Sequence, residues 1–151
     1  MHHPVLKIQK TLKNEWCVLF WLISVMTVKK FLADQIENST KDMESLRRKI
    51  SYYQDFLNVM GKVDPGFTTW RGQVLFELHK PLLIEANSMH ELGNLTTPEF
   101  VCELRKIASF LEESVKCLQF EPDGTKPAHQ AKWAIKALKE VKEIIFFSDF
   151  L

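Results

Sequence analysis

The 151-residue sequence is short of the residues that staple or interrupt small folds: it holds three cysteines, five glycines, six prolines and two tyrosines. Cys17, Cys102 and Cys117 form an odd set with no short paired spacing, which argues against a disulfide framework and falls short of a four-ligand zinc site. Each lies in a helical apolar pattern, so all three are expected to be buried, reduced thiols. His2, His3, His79, His90 and His129 are scattered, so no metal or catalytic cluster is expected, and His2-His3 is read as an unstructured start. Charge of one sign is also lacking: the formal net charge is +1, which removes bulk attraction to nucleic acid or acidic lipid. No useful length alternates with the period of two that a half-buried strand requires. What remains is 46% hydrophobic and reads as one folded domain with its own core.

Sequence motifs for chemistry are missing as well. There is no phosphate loop and no nucleophile elbow, and His90-Glu91-Leu92-Gly93-Asn94 lacks the second histidine of a HExxH zinc motif. Glu77 and His79 are two apart on a helix, point apart and make no dyad. The expectation is a chain without catalytic, cofactor-binding or metal-binding residues.

Five helices account for the pattern that is present. Residues 5–32 begin amphipathic, with Val5, Ile8 and Leu12 on one face, and become wholly apolar from Trp16 to Val28. Basic character gathers here, since residues 1–30 carry five lysines and one acid. That apolar block is shorter than the roughly 20 residues of a membrane span, so it is expected as a helix buried on all sides. A membrane anchor or secretory segment over 16–28 is the alternative.

Ser39 and Asp42 stand at capping-box spacing ahead of a second helix, whose Met43, Leu46, Ile50, Tyr53, Leu57 and Met60 step by three and four. The third runs from Thr69 to about His90, and Pro81 is expected to kink or split it near Lys80. Thr97-Pro98-Glu99 reads as cap, first-turn proline and first-turn acid of the fourth, whose buried face is Phe100, Leu104, Ile107, Leu111, Val115 and Leu118. Glu121-Pro122-Asp123-Gly124 is a turn, and a fifth helix covers about 128–147. The fold class is therefore all-α: antiparallel helical hairpins at about 43–90 and 98–147 in a tetratricopeptide-like bundle. The domain reading is an N-terminal helix at 1–34 and a helical domain at 39–148.

The last helix has two apolar stripes: Ala131, Ile135, Leu138, Val141 and Ile145 on one side, and Trp133, Ala137, Ile144 and Phe147 nearly opposite. One stripe suffices for a two-layer bundle. The other is expected to pack on the first helix or to dock onto another domain or subunit. Lys132, Lys136, Lys139 and Lys142 alternate with Glu140 and Glu143, a solvated surface rather than a nucleic-acid patch.

The chain is organised around Asp64-Pro65-Gly66-Phe67-Thr68-Thr69-Trp70-Arg71-Gly72, followed by Phe76-Glu77-Leu78. Proline and glycine make the turn, and Thr68 or Thr69 caps the helix that carries Trp70, Val74, Leu78 and Leu82 on one face. This stretch resembles the helical region that follows the catalytic domain in SET and MYND domain lysine methyltransferases, arthropod forms above all, where an L-x-P-G-x-[ST]-x-x-R-G-x-L-x-[FY]-E-L run recurs. The resemblance extends over 43–145, through Arg47-Arg48-Lys49-Ile50, Val115-Lys116-Cys117-Leu118 and Glu121-Pro122. His3-Pro4-Val5-Leu6-Lys7-Ile8 is weakly similar to the start of the preceding helix, and residues 14–32 are more apolar than the family's pattern.

The resemblance implies a tetratricopeptide-like tail that walls the substrate cleft, without the chemistry; S-adenosylmethionine and zinc would belong to the SET and MYND part. It implies a protein partner, as substrate, partner protein or SET domain, no nucleic acid, and a cytoplasmic or nuclear location. Trp70, Arg71 and Trp133 are the large groups expected to shape a groove, with Ile144 and Phe147 beside them; Arg71 is expected to pair with Asp64 or Glu77.

Overall fold

The computed structural model describes the backbone of residues 4–150 and the side chains of residues 14–150. Five helices follow one another: α1 (Pro4–Gln35), α2 (Met43–Val63), α3 (Thr69–Glu91), α4 (Thr97–Leu118) and α5 (Lys126–Ser148). No strand occurs among the described residues. The His2-His3 expectation, and the side chains of Val5, Ile8 and Leu12, lie outside the described residues.

Local chemistry sets the helix ends. Asp42, Thr68, Thr96 and Thr125 each accept a backbone N–H from three residues ahead, satisfying a first-turn donor that the helix itself cannot. Two expected caps shift: Ser39 Oγ instead accepts from the backbone N–H of Lys41, and Thr96 takes the place of Thr97 because its hydroxyl reaches both the N–H and the carboxylate of Glu99. Gly66 and Gly124 sit at φ of 110° and 82°, so both turns use backbone that an L side chain would strain. Pro81 does not split α3, which continues as one helix with the ring buried in the core.

Successive helices are antiparallel, and cross-links fix their register. Lys29–Asp55, Tyr53–Asp34 and Lys49 to the Ile36 carbonyl join α1 and α2. Phe56–Trp70 and Arg47–Glu85 join α2 and α3, while Lys142–Glu112 and Arg105–Asp149 join α4 and α5. Non-consecutive α3 and α5 run parallel, through Gln73–Gln130 and Phe76–Trp133. The odd and even helices thus form two staggered layers, a stack of hairpins in the tetratricopeptide manner.

The core is continuous along this stack. Phe76, Leu104, Ile107, Leu111, Ala134 and Val141 centre one part, and Ile50, Tyr53, Phe56, Val74 and Leu78 centre the next. The closest approach is at Gly72, where an added Cβ would lie 2.6 Å from Cys117 Cβ and 2.7 Å from Leu118 Cγ. Only a residue without a side chain lets α3 and α4 meet there.

α1 departs from expectation. It was expected to be buried on all sides, yet Met26 and Ala33 are its buried apolar residues, while Trp16, Val18, Phe20, Trp21, Val28, Phe31 and Leu32 are exposed. Among the described residues it packs on α2 alone. In the antiparallel register Val63, the end of α2, comes opposite about residue 22 of α1, so the preceding turns overhang. The expected docking of the second α5 stripe on α1 is also overturned, because the two helices stand at opposite ends of the stack and do not touch.

Candidate functional site

Among the described residues the backbones of α1 and α3 do not approach closely, and the gap between them opens a polar pocket of about 310 Å³ whose floor is α2. Lys30 and Asp34 come from α1, Lys49 and Tyr53 from α2, Gln73, Val74 and Glu77 from α3, and Lys126 and Gln130 from the first turns of α5. Lys49 lies within the apolar seam of α2, between Leu46, Ile50 and Tyr53, which draws its stem inward. It is only 4% exposed, and its Nζ donates to the Ile36 carbonyl at 2.8 Å. Burial pushes its pKa down, with Glu77 and Asp34 opposing the shift.

The surrounding groups are held in a chain. The Tyr53 hydroxyl donates to Asp34 Oδ1 at 2.5 Å, and Lys30 holds Oδ2 of the same carboxylate at 2.9 Å. Burial, then the Asp34 carboxylate, keeps the Tyr53 phenol protonated far above its ordinary range. Gln73 Nε2 donates to Gln130 Oε1 at 2.9 Å, and Gln130 Nε2 donates to Glu77 Oε1 at 3.3 Å. Gln130 is 1% exposed, so this amide relay is rigid and its free donors and acceptors have fixed directions.

Farther along α3 and α5 the lining turns apolar. Trp133 is 56% exposed and stacks on Phe76 with centroids 6.3 Å apart, while Lys80 Nζ sits 4.8 Å from the Phe76 ring centroid. His79 is buried beneath, its Nδ1–H donating to the Phe76 carbonyl, and burial holds its pKa below the ordinary value. Among the described residues no three of His, Cys, Asp and Glu gather as metal ligands.

The expected site residues fall in four places. Trp70 packs edge-on against Phe56 at 5.4 Å and donates from Nε1 to Asp64 at 2.9 Å. Arg71 pairs with neither Asp64 nor Glu77; its Nε reaches Glu113 of α4 at 2.7 Å, because α4 closes over the start of α3. Trp133 does line the α3–α5 face, whereas Ile144 and Phe147 lie exposed farther along α5. Of the first α5 stripe, Ala131 and Val141 are buried and Leu138 and Ile145 pack against the core, joined by Ala128 and Ala134, while Ile135 is exposed. Cys17 and Cys102 are exposed, and Cys117 alone is buried, which raises its pKa.

Lys49, Gln73 and Gln130 were not foreseen. Lys49 at helical spacing within an apolar seam is a sequence signal of a buried ammonium, and Gln130 beside Ala131 and Ala134 is a fainter one. No family model, curated protein or solved structure matches the chain.

Three of the motifs that carry the resemblance, Arg71-Gly72, Cys117-Leu118 and Glu121-Pro122, meet in one place. Thr69 Oγ1 donates to Glu121, Arg71 pairs with Glu113, Ser114 Oγ donates to the Gly72 carbonyl at 2.7 Å, and Gly72 abuts Cys117 and Leu118. Arg-Gly and Cys-Leu, far apart in sequence, are two sides of one helix crossing. Their role here is to lock α3 to α4 and to the turn before α5.

Proposed function

We propose that the chain is a non-catalytic protein-interaction module, equivalent to the helical tail that walls the substrate cleft in SET and MYND domain lysine methyltransferases. The observation that supports this best is the convergence of the Arg71-Gly72, Cys117-Leu118 and Glu121-Pro122 motifs into a single helix lock. A fold needs such a lock to hold its hairpins at fixed spacing, and a motif that serves packing is what a scaffold module requires. Exposed apolar groups on α1 and α5 supply surface for a catalytic domain or another protein partner, in the cytoplasm or nucleus. The test is reconstitution: the purified chain is mixed with a SET and MYND catalytic core lacking its own helical tail, and co-elution is followed by size-exclusion chromatography. A complex is expected. Two separate peaks at micromolar concentrations, or heat of binding from S-adenosylmethionine added to this chain alone, would sink the reading.

Membrane anchoring is a second reading, and one observation favours it. Within the 22-residue helical stretch Asn14–Gln35, an 18-residue run has a mean hydropathy of 1.6, and only 11% of that run is buried. Trp16 and Val18 project to nearly opposite sides of the helix, with Trp21 on the side of Val18, and exposure on opposite sides is what lipid contact would require and a single protein groove would not. Flotation of the chain with phosphatidylcholine vesicles is expected under this reading and is abolished by removing residues 1–24; a chain that stays at the bottom of the gradient rejects it.

A further inference from the structure

The polar pocket and the Trp133 shelf lie on the same pair of helices, one after the other. On α5, Lys126 and Gln130 face the pocket and Trp133 and Ala137 face the shelf; on α3, Gln73 and Lys80 mark the two ends. From the middle of the first α5 pair to the middle of the second is about seven residues of helix, roughly 10 Å. An extended chain covers that distance in about three residues.

The charge along this face is unbalanced. Five lysines line the two concavities against three carboxylates, and the excess of two remains when Lys30 is paired with Asp34 and Lys80 with Glu77. Lys49 has three N–H donors, and among the described residues the Ile36 carbonyl is its one hydrogen-bond acceptor. Its stem is buried, so the ammonium cannot swing out to water to satisfy the others. Lys126, in the first turn of α5, forms no ion pair among the described residues, and the backbone N–H groups of that turn add to the positive potential. The Gln73–Gln130 relay between the two ends offers fixed amide groups to a peptide backbone.

We propose that this face binds an extended acidic peptide of a partner protein, with a carboxylate seated against Lys49 and Lys126 and an apolar side chain about three residues away lying on Trp133. This rests on the reading of the chain as an interaction module and names the chemistry of its partner.

The test is fluorescence anisotropy with the full chain and a fluorescein-labelled serine–glycine peptide carrying one glutamate and, about three residues on, one leucine. The same peptide with glutamine for glutamate, and inorganic phosphate alone, are the comparison ligands. The glutamate peptide is expected to bind about tenfold more tightly than the glutamine peptide, as loss of a hydrogen bond to a charged group implies. Lys126→Gln and Trp133→Ala each weaken binding of the glutamate peptide by about the same factor. Both side chains are exposed, so circular dichroism and the urea midpoint stay at the parent values. Lys49→Met removes the charge from below as a third arm. Equal binding of the two peptides, binding indifferent to Lys126→Gln and Trp133→Ala, or phosphate displacing the peptide as an equally tight ligand overturns the proposal. Absence of any peptide binding overturns it too, while co-elution with the catalytic core would leave the module reading standing.

Discussion

α1 and α4 put a similar question to the molecule and receive opposite answers. α1 carries the longest apolar stretch in the chain and leaves most of it in solvent, whereas α4, with seven charged residues among its 22, buries Leu104, Leu111 and Leu118 completely. The difference is one of distribution and position. α4 keeps its apolar residues on one side and lies between α3 and α5, so each finds neighbours. α1 spreads them around its circumference at the end of the stack, where a single neighbour covers one flank. Burial follows the segregation of apolar side chains and the number of neighbours, and apolar content alone does not predict it.

The sharpest way to break this contrast is a pair of substitutions read by urea unfolding. Leu111→Ala empties a fully buried site and is expected to cost about 3 kcal/mol, while Trp21→Ser on α1 changes stability by less than about 0.5 kcal/mol. A cost above about 2 kcal/mol for Trp21→Ser would mean that α1 is covered in solution, and the contrast would be gone.

The same helix crossing offers a smaller effect of known sign. Gly72→Ala gains about 1 kcal/mol of helix propensity but drives a methyl group into Cys117 and Leu118, so a net loss of about 1–2 kcal/mol is expected. At Gly61 an added Cβ meets only the flexible end of Arg71, 3.3 Å away. Gly61→Ala is therefore expected to be neutral or stabilising by up to about 1 kcal/mol. Equal behaviour of the two variants would show that α3 and α4 are not held at that spacing.

The smallest effect concerns His79, buried under the Phe76–Trp133 shelf. Its native pKa lies below the ordinary value, chiefly through burial, so over the interval below about 6.5 the unfolded chain binds the proton and the native chain does not. Stability is then complete above about pH 6.5 and declines as the pH falls toward the native value. The urea midpoint should decrease between about pH 7.5 and 5.5, and His79→Gln should flatten that slope. An unchanged slope in the variant would assign the decline to other groups.

Much of the fold was legible because the signals are local. The threonine before α3, Pro65-Gly66, Asp123-Gly124 and the seam of α4 each act over a few residues, so the approximate helix ends and the all-α class follow from neighbours in the chain, whereas the expected caps Ser39 and Thr97 give way to Asp42 and Thr96. Pro81 does not split α3, because the core packed around its ring holds the helix together despite one missing backbone bond. The site was far less legible. Trp133 lines the α3–α5 face, but Trp70 and Arg71 are fastened to Asp64 and Glu113, and an arginine's partner on another helix leaves no trace in its own periodicity.

By itself, then, the sequence determined the five helices, their turns and the side of α4 that faces the core, because backbone preference and i to i+4 spacing act at short range. The tertiary structure alone decided that α1 lies at an end with its apolar surface uncovered. It also decided that Gly72 is a helix crossing and that Lys49, Gln73, Lys126 and Gln130 share one pocket. Those outcomes depend on which helices touch and at what distance, and side chains about fifty or more residues apart become neighbours only when the whole stack closes.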